Sequence, residues 1–304
     1  SELAPKSTMS CLVYGNPGIG KSTIGCSAPN AVLFDFDGGV SRINGAHQVP
    51  TVQVSSWEDV GMALKELQTE MPECQTIVID TVGKMLDYMS QYIIQNDYKM
   101  GQRDGSLSLK GYGVRKNMFV NFINQLSIMG KNVIFIAHER EEKRGEDTVK
   151  RPEIGGSSAG DLIKELDLVG YMQAIGKDRT ISFDPTETYY AKNACNLPAV
   201  ISVPRLIAED GSMLKQNDFF CQLLANYQKY QESARTKAIA FDELISDIDS
   251  EVKEAADADA LNDLIDKYGS KKFEHIYNSK LVASQKLNAR ARELSLRLDS
   301  KTKK

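Results

Sequence analysis

The sequence predicts an α/β protein with a mostly parallel central sheet and a helical extension at its C-terminal end. Three observations predict it. A glycine-rich segment, Gly15-Asn-Pro-Gly-Ile-Gly-Lys-Ser-Thr23, sits between an apolar strand-like run and a helix-like run. Strand-like and helix-like segments then alternate to about residue 230, the pattern of a layered α/β domain. From about Gln231 the composition shifts to alanine, aspartate, lysine and leucine, with no proline and one glycine, Gly269. The boundary is therefore placed between a core domain, 1–231, and an extension, 232–304.

Each element has a local reason. Cys11–Tyr14 is a short apolar strand, and a helix begins near Lys21. Ala31–Phe36 is the next strand and Val52–Val54 a short one. Ser56-Trp-Glu-Asp59 has the form of a capping box and opens a helix through Leu67. Thr76–Asp80 reads as a buried strand ending in a carboxylate, followed by a helix to about Tyr98. Lys99–Gly113 is rich in glycine and reads as a mobile loop. A helix carrying Phe119, Phe122, Ile123 and Leu126 leads to strand Asn132–Ala137, and Glu139–Gly156 reads as a long charged loop. Leu168–Ala174, Thr180–Phe183 and Tyr189–Ala191 read as three further strands, with a hairpin turn at Gly176-Lys-Asp178. In the extension, Leu244, Ile245, Ile248 and Val252 recur at helical spacing, and two or three helices are expected.

Composition narrows the class. The chain has 304 residues, 41% hydrophobic and 26% charged, which suits a globular domain able to bury a core. No apolar run reaches the roughly 18 residues of a membrane span, and no signal-peptide pattern is visible. The five cysteines are scattered, without metal-ligand spacing, and an odd count argues against a disulfide framework and for a reducing compartment. Net charge is −4, so the chain is no generic polycation. Charge is blocked near the end. From Asp242 to Asp266 there are ten acidic residues and one basic, and from Lys267 to Lys304 eleven basic and three acidic. The asymmetry reads either as an interaction tail or as two solvated helix faces.

The glycine-rich segment carries the chemistry. Gly15-x-x-x-x-Gly20-Lys21-Ser22 is the phosphate-loop pattern. Backbone N–H groups of Gly15, Asn16, Pro17's neighbours, Gly18, Ile19 and Gly20 must turn inward toward phosphate oxygens, which glycines permit. The helix that starts at Lys21, Ser22 and Thr23 presents its positive end to the anion. Lys21 is expected to reach the outer phosphates of ATP, and the Ser22 hydroxyl to ligate Mg2+. Ile77-Val-Ile-Asp80 fits the acidic strand that follows such a loop, with Asp80 meeting Mg2+ through water. Helix capping is the alternative role for Asp80. Many phosphate-loop machines place Glu next; here that position is Thr81, so the general base must come from elsewhere. Asp35 and Asp37 end the second strand, where strand ends converge on a ligand. Asp37 is the first choice and Asp35 the second.

These residues resemble the RecA-like recombinase ATPases: an acid ending the second strand, no Glu after Asp80, and a polar residue, His138, ending Ile134-Phe-Ile-Ala. More closely, residues 8–205 resemble phage-encoded, core-only RecA-like ATPases that work with single-strand annealing and single-strand-binding proteins. The resemblance implies ATP hydrolysis with Mg2+, His138 as a γ-phosphate sensor, and Lys192, in Lys192-Asn193, reaching a neighbouring subunit's nucleotide. It also implies a homo-oligomer, single-stranded DNA and such a single-strand-binding or annealing protein as partners, and the cytoplasm of a phage-infected bacterium as location. The chain departs from the pattern at Ala194, where a second basic residue is expected, and in lacking the N-terminal helical domain of bacterial RecA.

Two segments stand where that family meets single-stranded DNA. Glu139–Gly156 mixes five cations with six acids, an unpromising phosphate stripe. Lys99–Lys116 holds Arg103, Lys110, Arg115 and Lys116 beside Tyr98 and Tyr112, with Asp104 the one acid, and cations among aromatics suit base stacking. An ordinary mobile loop is the alternative. The competing functional reading is a nucleotide-gated scaffold or loader that binds a protein partner through 232–304.

Overall fold

The computed structural model describes residues 8–155 and 159–297. It divides into two compact units, Ser1–Tyr230 and Gln231–Lys304. The first holds a ten-stranded mixed sheet with helices on both faces.

Strand β1 (Ser10–Gly15) is buried at every residue and runs into the glycine-rich loop and α1 (Lys21–Gly25). α1 is a short helix, because Pro29 and the left-handed Asn30 turn the chain directly into β2 (Ala31–Asp35). β3 (Thr51–Gln53) precedes α2 (Trp57–Glu70), whose capping box forms in full: the Ser56 hydroxyl accepts from Asp59 N at 3.2 Å and Asp59 accepts from Ser56 N at 2.8 Å. β4 (Thr76–Asp80) leads to α3 (Val82–Asn96). α4 (Leu109–Ile128) follows, then β5 (Asn132–Arg144), β6 (Asp147–Pro152) and α5 (Ala159–Lys164). β7 (Leu168–Ile175), β8 (Asp178–Ser182), β9 (Lys192–Asn193) and β10 (Val200–Val203) complete the sheet.

The strand order is β10-β8-β7-β1-β5-β4-β2-β3, with β6 on β5 and β9 on β7. The five strands β7, β1, β5, β4 and β2, together with β3, run parallel, and the hairpin partners run antiparallel. The chain leaves β1 toward β2 on one side and later returns to β7 on the other. That reversal puts a crevice at the C-terminal end of β1, where ligands bind in open α/β sheets. Alternate residues of each strand feed two cores. Tyr14, Phe34, Ile79 and Phe135 face α2, α3 and α4, whereas Val13, Leu33, Val78 and Ile136 face Ile24 of α1.

The structure corrects several expectations. Glu139–Gly156 is no loop over most of its length: β5 continues to Arg144 and pairs with β6 as a hairpin. Opposite charges cross it, with Lys150 bonded to Glu139 and Glu141 and Arg151 to Glu142, which is why its mixed charge pairs strands. Gly156 itself lies outside the described residues. Lys99–Lys116 is largely regular, with a 3-10 turn at Tyr98–Met100, a Gly101–Leu107 bridge and the first two turns of α4. The Ser108 hydroxyl caps α4 at Gly111 N, 3.2 Å away, so the helix starts well before the aromatic run that signalled it. The strand expected at Tyr189–Ala191 forms instead at Lys192–Asn193, and β10 was not foreseen.

The second unit packs the end of α6 (Phe219–Glu254), α7 (Ala258–Gly269) and α8 (Ser279–Glu293) around Leu244, Ile248, Leu261, Tyr268 and Leu287. α6 begins at Phe219, ahead of the compositional shift, because its first turns bury Phe220, Leu223 and Tyr227 in the core of the first unit. The acidic and basic blocks meet here. Lys267 pairs with Glu251, Lys286 with Asp249, and the Arg290 guanidinium donates to Ala255 O. The blocks therefore serve in part to join helices within the unit. No helix among the described residues is long and apolar enough to cross a membrane.

Candidate functional site

The site grows from the end of β1. A Cβ on Gly15 would sit 2.1 Å from the carbonyl oxygen of Met172 on β7, so only glycine lets β1 and β7 close at this point. Gly20 takes φ 97° and turns the loop into α1. Residues 17–24 then line a cleft of about 960 Å³ at the strand ends. Lys21 is 4% exposed, and its ammonium donates to Gly15 O at 2.9 Å and Asn16 O at 2.7 Å. Burial lowers its pKa to about 8, and the carboxylates of Asp80 and Glu139 pull in the opposite direction.

β4 brings Asp80 to the same cleft. Burial raises its carboxyl above the usual range; a hydrogen bond with Ser22 opposes this, and Asp37 and Asp35 add to the rise. Asp80 does not cap α3. That role falls to Thr81, whose hydroxyl oxygen faces Lys84 N at 3.5 Å.

Asp35 and Asp37 separate into different roles. Asp35 is 1% exposed, and its carboxylate accepts from Asp37 N, Gly39 N, Val40 N and Gln53 Nε2 at 2.8–3.1 Å. Burial alone would raise its pKa, yet these bonds hold it below the usual carboxylate range. Asp35 thus shapes the loop. Asp37 is exposed, lines the cleft, and accepts from the Thr81 hydroxyl at 3.3 Å. The residue standing where Glu is common therefore orients the acid that comes from the neighbouring strand.

His138 pairs in register with Gly15 and lines the cleft, with its Nδ1 buried and without a hydrogen-bond partner. Gly15 to Thr23, Asp37, Asp80 and His138 are thus brought together. Lys192 is not among the residues lining the cleft. Its ammonium donates to Lys164 O at 2.6 Å and to Leu166 O, closing the carbonyl end of α5. Within the chain, this local bond pair is what holds Lys192.

The cations assigned to DNA also separate. Arg103 and Lys110 are exposed, and Lys116 is half-buried. Arg115 is 3% exposed: its guanidinium donates to Ser90 Oγ at 3.1 Å and Gly155 O at 2.6 Å and lies 4.9 Å from the Tyr112 ring centroid. Arg115 is a structural residue, removed from the DNA-binding set because α4 turns it into the interior. Sequence reasoning missed Thr81 as a positioning residue and the Arg42, Lys177, Arg179 and Arg205 cations around the cleft. None stands in a recognisable spacing; remote strands and loops bring them in.

The donor set fits a nucleoside triphosphate and Mg2+. Lys21 is a buried cation at the loop that makes the anion cradle, and the Ser22 hydroxyl and the Asp80 carboxylate line the same cleft, a donor set of the kind that shares a hydrated Mg2+ with phosphates. A family model described as an AAA domain matches residues 7–195. The chain belongs to that family. As an AAA-domain protein it carries a nucleotide-binding phosphate loop on an α/β sheet. It is also similar, at 27% identity over 173 residues, to the SPbeta prophage-derived uncharacterized protein YorG of Bacillus subtilis (strain 168). The match takes in 55% of this chain and 51% of that protein, so the chain spans about half the length of this relative.

Proposed function

We propose that the chain hydrolyses ATP with Mg2+ and, as a RecA-like protein, acts on single-stranded DNA in phage recombination or replication. The observation that carries the hydrolytic reading is the convergence of Lys21, Ser22, Asp80 and a Thr81-oriented Asp37 on one cleft. Ser22 and Asp80 would hold Mg2+, which when bound screens the charge of the outer phosphates. Lys21 stabilises the charge that shifts onto the leaving phosphate oxygens. Asp37 orients the attacking water and accepts its proton at Oδ1 or Oδ2, while Thr81 holds the carboxylate in place. His138, beside Gly15 in register, supplies a polar contact to the terminal phosphate.

The DNA reading draws on the exposed Arg103 and Lys110, on Tyr98 of the same segment at 78% exposure, and on the prophage origin of the similar protein. A second reading, a nucleotide-gated scaffold or loader, draws on the helical unit, whose α7 and α8 flank a groove of about 550 Å³ lined by Leu261, Ile265 and Leu287. ATP turnover measured with and without single-stranded DNA separates the two. Stimulation by DNA supports the first. Turnover indifferent to DNA, with no DNA bound at low salt in the presence of ATP, leaves the scaffold.

A further inference from the structure

Of the groups named above, Asp37, Asp80 and His138 lie on one side of β1, past the end of β2 and on β4 and β5, while Lys21 and Ser22 stand on the helix that follows β1. The other side carries a cation with no assigned role. Arg179 stands on β8, opposite Ala174 of β7 and Val203 of β10. Met172 of β7 is in register with Gly15, and Ile181 of β8 with Met172. Arg179 is therefore two residues, about 7 Å, farther along the strand direction than Gly15, and two strands, about 10 Å, to the side. Ile181 shares the core that holds Ile24 of α1, so Arg179, two residues before it, lies on the α1 face. It lines the same cleft as the phosphate loop.

Its neighbours in charge are engaged elsewhere. Lys177 bonds to Glu209 at 2.9 Å, and Arg205 pairs with Glu209 at 3.7 Å and donates to Ile207 O. The Arg179 Nε is buried and has no hydrogen-bond partner. A buried guanidinium donor left unmatched is costly, and a planar fork of donors suits phosphate or ribose oxygens.

We propose that Arg179 is a positioning residue for the end of the nucleotide remote from the γ-phosphate, donating to the α-phosphate or ribose oxygens. This rests on the nucleotide reading of the cleft. A triphosphate with its γ end toward Asp80, Asp37 and His138 leaves its nucleoside end on the opposite side of β1, where Arg179 stands. Arg179 then contributes to ATP and ADP alike and touches no atom whose charge changes in hydrolysis.

Calorimetric titration of the full chain with ATP and with ADP, in wild type, Arg179→Met and Arg179→Lys, tests this. Arg179→Met is expected to weaken both nucleotides by the same factor, roughly 10-fold to 100-fold for a bond to a charged group. In turnover, KM should rise with kcat unchanged, and Arg179→Lys should recover part of the affinity. Loss of ATP affinity with ADP unaffected would overturn the proposal and make Arg179 a γ-phosphate contact. Unchanged affinity for both, or a fall in thermal stability alone, would also overturn it, leaving Arg179 a packing residue. A wild-type chain that binds neither nucleotide would overturn the cleft reading and this one together, whereas loss on Lys21→Ala with no effect of Arg179→Met would overturn this one only.

Discussion

The phosphate-loop cleft and the 98–116 segment were both marked by residue pattern, and the tertiary structure treated them differently. In the cleft, Lys21, Asp37, Asp80 and His138 come together at the strand ends. In the 98–116 segment, four cations that look equivalent in sequence split into exposed Arg103 and Lys110, half-buried Lys116 and fully buried Arg115. The difference teaches which patterns carry geometry. The phosphate loop specifies its own backbone, because glycines at fixed spacing and a following helix leave few conformations. A row of cations specifies no backbone, so burial decides what each one does.

The largest expected effect lies in the cleft. Lys21→Ala should abolish hydrolysis, a loss of at least about 10²-fold in kcat. Some nucleotide binding should persist through backbone donors. Turnover at the wild-type rate would remove the phosphate loop from the mechanism.

The next effect separates two acids two residues apart. Asp37→Asn should cut kcat by on the order of 10²-fold with Mg-ATP binding near normal. Asp35→Asn should act on the fold, lowering unfolding free energy by about 1–3 kcal/mol, since an amide cannot accept all four of the bonds the carboxylate makes. Chemical denaturation alongside steady-state kinetics reads both. A dead Asp35→Asn with a stable fold and an active Asp37→Asn would exchange the roles.

The comparison sharpens further in the 98–116 segment. Arg115→Ala should cost about 3 kcal/mol of stability, because it removes a buried guanidinium together with its bonds to Ser90 Oγ and Gly155 O. Arg103→Ala with Lys110→Ala should leave stability unchanged and reduce the salt slope of single-stranded DNA binding by about 1.4 if both touch phosphates. An unaltered slope in the double variant would place the DNA contact elsewhere.

The smallest effect is a pH dependence. Lys21 must be charged to meet a triphosphate, and its pKa is lowered to about 8. ATP affinity should hold up to about pH 8 and decline above it, by at most roughly tenfold per unit. Stability of the ligand-free chain should move the other way. Between about 8 and the unfolded value of 10.5 the unfolded chain binds more protons at this site than the folded chain, so the Lys21 contribution to stability rises with pH. Titrations and melts across this window check both signs.

Much of the fold was legible in advance where strands are apolar and fully buried: β1, β2, β4 and the first half of β5 follow from Val, Ile, Leu and Phe runs, and α2 from its capping box. The β5–β6 hairpin was illegible because its strands are charged on both faces and pair through Lys150, Glu139 and Glu141 rather than through an apolar alternation. The early start of α6 was hidden because its first turns belong to the core of the first unit, and composition alone marks a change of solvent exposure.

The sequence by itself determined the anion cradle, since a Gly-x-x-x-x-Gly-Lys-Ser segment after an apolar strand encodes its function in backbone geometry and needs no distant partner. Only the tertiary structure decided which of Asp35 and Asp37 is held in a cage of backbone donors, that Thr81 orients the other, that Lys192 and Arg115 bond to nearby backbone carbonyls, and that Arg179 reaches the cleft from the far side of β1. The physical reason is common to all of them. A side chain's role depends on which donors, acceptors and solvent surround it, and in a sheet whose neighbouring strands lie far apart in the chain, those surroundings come from residues that local spacing cannot connect.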